Sequence, residues 1–244
     1  MDKAVFDEVK RIIQESSNIV FFGGAGVSTA SGIPDFRSAA GLYNRKSNTQ
    51  FSPEYMLSHE FFETHPDEFS DYVRENLLYE DAKPNNAHYA LAKLEKQGKL
   101  KAIITQNIDR LHQKAGSVNV LELHGSLFEY YCSGCHKKYA LNDFKSVKGA
   151  LRCSKCSGVV RPDVVLYGEG LNMQIYYKAI EAIQSSDVFI VGGTSLVVYP
   201  AAGLLDFYRG NKLVLINMEP TPQDSRADYI LRGDVSQIMH DLVN

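Results

Sequence analysis

Four cysteines fall in two pairs, Cys132-x-x-Cys135 and Cys153-x-x-Cys156. Each pair can span one edge of a tetrahedron of thiolates, so together they predict a zinc ion held by Cys132, Cys135, Cys153 and Cys156, in the spacing pattern of a zinc ribbon. Four sulfur ligands close the coordination shell and leave no place for an activated water, so this metal is expected to be structural rather than catalytic. A redox dithiol would need only one such pair.

A second chemistry begins where the apolar run Asn18 to Phe22 ends in glycine and continues Gly24-Ala25-Gly26-Val27-Ser28-Thr29. Glycines there permit a tight turn and close approach to a pyrophosphate, whose charge would meet amide N–H groups at the start of a following helix. Thr29 stands where G-x-G-x-x-G has its third glycine, so the motif by itself suits a dinucleotide site or a plain turn. No G-x-x-x-x-G-K-[ST] run is present, which removes the P-loop class. Three further segments place polar groups after apolar runs: Thr105-Gln106-Asn107-Ile108-Asp109, Leu123-His124-Gly125 and Gly192-Gly193-Thr194-Ser195. Taken singly, each suits a turn or a structural hydrogen bond. Four such strand ends in one chain point to a polar site at the carboxyl edge of an open sheet.

The elements that must position these groups alternate. A helical stripe covers residues 3 to 17 through Val5, Phe6, Val9, Ile12 and Ile13, and Asn18 to Phe22 reads as a buried strand. Further strands are expected at Leu100 to Thr105, Val118 to Leu123, Val188 to Val191 and Leu213 to Asn217, with helices such as Asn86 to Gln97 and Leu171 to Ser185 between. That rhythm predicts an α/β, doubly wound parallel sheet. Residues 36 to about 85, rich in Phe, Tyr, His and Pro, and residues 128 to 160, holding the cysteines, interrupt it and read as insertions. The expected organisation is a sheet domain of residues 1–36, 86–127 and 161–244, a helical insertion with a cofactor-binding loop at 37–85, and a zinc-ribbon module at 128–160.

Composition bounds the partners. The 26 Lys and Arg against 29 Asp and Glu give a net charge of -3, so no basic surplus draws the chain to nucleic acid. Without a run of about 18 apolar residues, no membrane partner is expected, and the chain is placed in the cytoplasm, where reduced thiols favour metal binding over disulfides.

The run Gly24 to Arg37 resembles the signature Gly-Ala-Gly-(Ile/Val)-Ser-x-x-Ser-Gly-Ile-Pro-Asp-Phe-Arg of the sirtuin family. Thr105 to Asp109, His124-Gly125, the two cysteine pairs and Gly193 to Ala201 follow in that family's order, so the resemblance spans residues 20 to 235 and looks like the compact bacterial or archaeal deacetylases. It implies a Rossmann-like domain, a small domain of zinc ribbon plus helical insertion, and NAD consumed together with acetyl-lysine proteins or peptides between them. Ala25, Thr29, Phe36 and Arg37 would line the nicotinamide ribose and pyrophosphate, and Gln106 and Asn107 the ribose and an ordered water. Ile108 and Asp109 would form the nicotinamide pocket, while Thr194, Ser195, Asn217 and the Val235 backbone would hold the adenosine end. Attack of the acyl oxygen on the ribose carbon would expel nicotinamide, with His124 as general base and Asn107 beside it. Val165, Tyr167, Gly168 and Glu169, opposite Val197, resemble the peptide-binding segments; Tyr167 stands where the family usually has Phe.

Three rivals share parts of this pattern: a hydride-transferring dehydrogenase, a zinc-ribbon module that binds NAD as a sensor, and an ADP-ribosyl transferase. The resemblance also speaks to the acyl group. Members that remove acidic acyl chains carry Tyr-x-x-Arg after the cofactor loop, whereas Tyr55-Met56-Leu57-Ser58 ends in serine, with Arg45 and Lys46 as other cations in reach. Acetyl-lysine is therefore expected over succinyl-lysine.

Overall fold

Every residue of the first strand, Ile19–Gly23, is buried, as a strand covered on both faces must be. The structure, a computed structural model, describes residues 2–38, 41–44 and 50–244. In chain order the strands are β1 (Ile19–Gly23), β2 (Leu100–Thr105), β3 (Val120–Glu122), β4 (Gly125–Cys132), β5 (Lys138–Tyr139), β6 (Val160–Val164), β7 (Val188–Gly192), β8 (Leu213–Asn217) and β9 (Tyr229–Arg232). The helices are α1 (Lys3–Glu15), α2 (Pro53–Met56), α3 (His59–Thr64), α4 (Pro66–Asn76), α5 (Asn86–Lys96), α6 (Leu111–Lys114), α7 (Leu141–Lys145), α8 (Met173–Ser185) and α9 (Val235–Val243).

Six strands pair in the order β3-β2-β1-β7-β8-β9, all parallel. Alternation of side chains divides each strand between two cores. Ile19, Phe21, Ile103, Ile190 and Ile216 pack under α1, α5 and α9, whereas Val20, Phe22, Ile104, Val191 and Leu215 pack under α8 and Ala201–Phe207. The doubly wound expectation is met, and the strand order reverses between β1 and β7.

Local hydrogen bonds explain where elements begin. The strand expected from Val118 starts at Val120 because the Glu95 carboxylate takes the amides of Val118 and Asn119 at 2.9 and 2.7 Å, leaving Val118 88% exposed. The helix expected from Leu171 starts at Met173 because the Asn172 side chain accepts from the Gln174 and Ile175 amides. Strand β9 was not foreseen. Its four residues follow Ala227-Asp228, too short a run to show alternation by itself.

The two insertions share one core. Phe61, Phe62, Phe69 and Val73 from α3 and α4 pack with Leu127, Tyr130, Phe144, Val160 and Val164 of the cysteine-bearing segment. Its sheet, ordered β5-β4-β6, runs from Gly125 to Val164, so strands continue past both edges of the 128–160 segment. Among the described residues, no helix is long and apolar enough to cross a membrane.

Candidate active site and metal centre

At the strand-order reversal, two glycine turns interlock. The Gly26 amide donates to Gly193 O at 2.8 Å and the Gly24 amide to Gly192 O at 3.3 Å. A side chain at Gly26 would meet Gly193 Cα at 2.8 Å, and one at Gly193, whose φ is +63°, would meet the Val27 amide at 2.4 Å. Contact this close requires both to be glycine. The turn departs from expectation in one respect: short 3-10 turns, Ala25–Val27 and Thr29–Ser31, follow β1 instead of an α-helix. The Ser28 hydroxyl bonds across to Asp109, the Thr29 hydroxyl bonds back to Gly26 O, and Gly32 ends the second turn in the left-handed region.

Around these turns the expected polar residues form linked groups. The Gln106 side-chain amide donates to Thr194 Oγ1 at 3.0 Å. Asn217 accepts from the Thr194 amide at 3.1 Å and donates to its carbonyl at 2.7 Å. Val235 opens α9 with its side chain against Gly192, and Ser195 is exposed. On the other side, Ser28 Oγ donates to Asp109 Oδ2 at 2.7 Å and accepts from the Asn107 amide group at 3.0 Å. Ser28 was not singled out from sequence, because only its contact with residues far along the chain gives it a task. Burial raises the Asp109 carboxyl above its usual range, an effect that the Leu111 amide and the Ser28 hydroxyl reduce.

His124 lies between β3 and β4. Its Nδ1 is 3.1 Å from Gln106 O, and burial lowers its proton affinity while that carbonyl partly restores it. A carbonyl can only accept, so Nδ1 carries the hydrogen and Nε2 is left as the basic atom. Gly125 fixes the turn that follows: φ is +74°, and a side chain there would meet Asp163 O at 2.0 Å. The neighbouring Val165 amide donates to His124 O at 3.0 Å.

The substrate-side residues divide. Val197 is exposed beside Leu196, while Tyr167 forms a parallel bridge with Ser58. Both carboxylate oxygens of Glu169, at the end of the segment expected to bind peptide, are engaged within the chain. Arg161 donates to Oε1 at 2.5 Å and Oε2 at 3.0 Å, the Leu166 amide donates to Oε2, and His59 Nδ1 lies 2.8 Å from Oε1. Burial pushes this carboxyl up, yet Arg161 and the Leu166 amide hold it below the usual carboxylate range. Ser58 is likewise occupied, its hydroxyl capping α3 through the Phe61 amide. Arg45 and Lys46 lie outside the described residues.

The four cysteine sulfurs lie within 4.8 Å of one another, with Cys132 to Cys156 at 3.4 Å and Cys135 to Cys153 at 3.6 Å. A tetrahedron with Zn–S bonds of about 2.3 Å has edges of about 3.8 Å, so the cluster has the dimensions of one such ion. The two pairs are built alike. Gly134 and Lys155 amides donate to Cys132 and Cys153 sulfurs at 3.4 Å, and His136 and Ser157, each just past a pair, adopt φ of 56° and 60°. Left-handed backbone at two non-glycine residues costs about 1–3 kcal/mol each, a cost that ion binding can offset.

The chain as a whole is similar to known proteins. Residues 24–200 match the model of the Sir2 family. An NAD-dependent protein deacetylase of Clostridium tetani is 57% identical over 236 residues, covering 96% of each chain. A solved Sir2 enzyme superposes with a TM-score of 0.90 at 40% identity, covering 99% of this chain and 97% of its own. A second, solved as a Sir2–p53 peptide–NAD+ complex, gives 0.85 at 40% identity over the same shares, 99% and 97%. With the interlocked glycine turns, the polar strand ends and the four-cysteine cluster all in place, the chain belongs to the Sir2 family.

Proposed function

We propose that this protein is an NAD-dependent protein-lysine deacetylase, transferring the acetyl group of acetyl-lysine to ADP-ribose with release of nicotinamide. The carrying observation is the His124 tautomer: Nδ1 is held by Gln106 O, so Nε2 is free to take a proton next to strand ends rich in polar groups. The Clostridium tetani relative bears the name of this activity, and a similar Sir2 chain was solved with peptide and NAD+.

NAD supplies a ribose carbon from which nicotinamide can leave. Ala25, Thr29, Phe36 and Arg37 cover that ribose and the pyrophosphate, Gln106 and Asn107 face the ribose, and Thr194, Ser195, Asn217 and the Val235 backbone hold the adenosine end. Ile108 and Asp109 take the nicotinamide carboxamide. A carboxylate has about four acceptor positions, so Asp109 keeps capacity for an amide after bonding Ser28 and Leu111. Asn107, oriented by the Ser28 hydroxyl, stands beside His124 in catalysis. The peptide lies as a strand between Val165, Tyr167 and Gly168 on one side and Val197 on the other, drawing main-chain hydrogen bonds from groups other than the Tyr167 backbone and the Val165 amide, which bond within the chain. Glu169 contributes by pinning this segment to Arg161.

Cys132, Cys135, Cys153 and Cys156 hold a structural zinc. Residues 1–36, 86–127 and 161–244 act as the Rossmann-like NAD domain, with 37–85 and 128–160 as its helical and zinc-binding excursions. The chain works in the cytoplasm, where its thiols stay reduced.

Mass spectrometry of an acetyl-lysine peptide incubated with and without NAD tests the proposal. Loss of the acetyl mass only with NAD, with nicotinamide released and no absorbance of reduced cofactor, is the expected result. An unchanged peptide, or reduced cofactor, would refute it.

A further inference from the structure

The backbone of Tyr167 is committed to the start of α3, while its side chain reaches the other way. Its N–H donates to Leu57 O at 3.0 Å and its carbonyl accepts from the His59 amide at 2.9 Å, so the residue is fixed against the start of α3. The side chain, 39% exposed, leans away from this anchor toward the cofactor loop. Its hydroxyl lies 2.7 Å from the Tyr43 hydroxyl and accepts from Arg37 Nη2 at 3.4 Å.

The loop side of this contact is itself ordered. Leu42 and Tyr43 amides donate to the Asp35 and Phe36 carbonyls at 2.7 and 2.9 Å. The Phe36 and Tyr43 rings pack at 5.4 Å between centroids, and the Arg37 guanidinium stands 5.4 Å over the Tyr43 ring, with Glu54 3.7 Å away. Phe36 and Arg37 are two of the residues assigned to the nicotinamide ribose, and Tyr167 is one of those assigned to the peptide. One phenol oxygen therefore joins the two binding elements, and it is the atom by which Tyr167 differs from phenylalanine.

We propose that the Tyr167 hydroxyl is a positioning group that latches the Phe36–Arg37 and Leu42–Tyr43 segments to the peptide-binding segment, so that the cofactor loop is held in its working place before substrate arrives. The proposal rests on the deacetylase reading for its catalytic consequence, but not for the latch itself. Removing the hydroxyl keeps the ring packing and takes from Tyr43 and Arg37 their shared partner. One neutral hydrogen bond of this kind changes an equilibrium by about two- to tenfold. Because Tyr167 Oη touches no reacting bond, the change belongs in KM rather than kcat.

Hydrogen exchange on the ligand-free protein reads the latch directly. Tyr167→Phe and Tyr43→Phe should each speed exchange of the Leu42 and Tyr43 amides about two- to tenfold, and the double variant should exchange like Tyr167→Phe alone, since Tyr43→Phe breaks only a bond that Tyr167→Phe already removes. Initial rates read its use: each single variant should raise KM for NAD about two- to tenfold, by a larger factor than kcat falls. Unchanged exchange in both single variants, or effects that multiply in the double variant, overturns the latch whatever the activity. Faster exchange with an unchanged KM for NAD overturns its role in positioning. If the wild type releases no nicotinamide from NAD and acetyl-lysine peptide, the deacetylase reading fails, and the exchange data still decide the latch.

Discussion

His124 Nδ1 is bonded to the carbonyl oxygen of Gln106 at 3.1 Å, an arrangement that sets which ring nitrogen can act as a base. His124→Ala should keep the fold and NAD binding and lose about 10²–10⁴-fold in deacetylation, the usual contribution of a general base. Burial holds the imidazole below its ordinary 6.5, so the neutral form persists to lower pH than in an exposed histidine. The acid limb of kcat/KM should accordingly fall below pH 6.5. Turnover like wild type in the alanine variant would remove His124 from the chemistry.

The sulfur cluster makes a separate prediction. Cys132→Ala or Cys153→Ala should release zinc and inactivate indirectly, since ion binding helps to fold the segment that packs against α3 and α4. Metal analysis paired with circular dichroism tests this. A zinc-free variant that stays folded and active would show the ion to be dispensable.

Acyl preference follows from the cation missing at Ser58, whose hydroxyl caps α3. A succinyl carboxylate entering an apolar channel must shed water, at a cost of several kcal/mol unless a buried cation meets it. Acetyl-lysine should thus exceed succinyl-lysine in kcat/KM by at least about tenfold, or about 1.4 kcal/mol. Competition between the two peptides gives the ratio directly, and equal use would defeat the argument.

His88 and His112 predict acid sensitivity. Their rings meet at a tilt of 58°, centroids 4.8 Å apart, in the core, with His88 Nε2 and both His112 nitrogens unpartnered. Burial lowers His88 from 6.5 to about 4 and His112 well below 6.5, where His88 adds repulsion. Both stay neutral when folded, whereas in the unfolded chain they bind protons below 6.5. Stability contributed by the neutral pair is therefore full above pH 6.5 and declines as pH falls toward 4. Urea unfolding should lose about 2–4 kcal/mol between pH 7 and 5 from this pair. His112→Phe should flatten that slope, and a profile parallel to wild type would show that the pair does not titrate as described.

Much of the architecture was legible in advance because it rests on local patterns. Short continuous apolar runs marked β1, β2, β7 and β8, which the fold buries along nearly their whole length, and the two cysteine pairs announced a metal cluster through spacing that their own short turns enforce. Gln106, Asn107, Asp109, His124, Thr194 and Ser195 were legible as polar groups at strand ends, since a parallel sheet delivers every strand's carboxyl end to one edge, while the other candidate residues came from the family resemblance alone. Four assignments needed the folded chain. Ser28 gains its meaning from Asp109 and Asn107, Glu169 is taken up by Arg161 and His59, Tyr167 reaches Tyr43 across the two binding elements, and β9 exists as a strand by pairing with β8. Period and spacing are properties of neighbours in sequence, and they decide which segments form strands, turns and ligand pairs. Which oxygen accepts from which donor depends on distances between segments far apart in the chain, and packing sets those only after the sheet has closed around its cores.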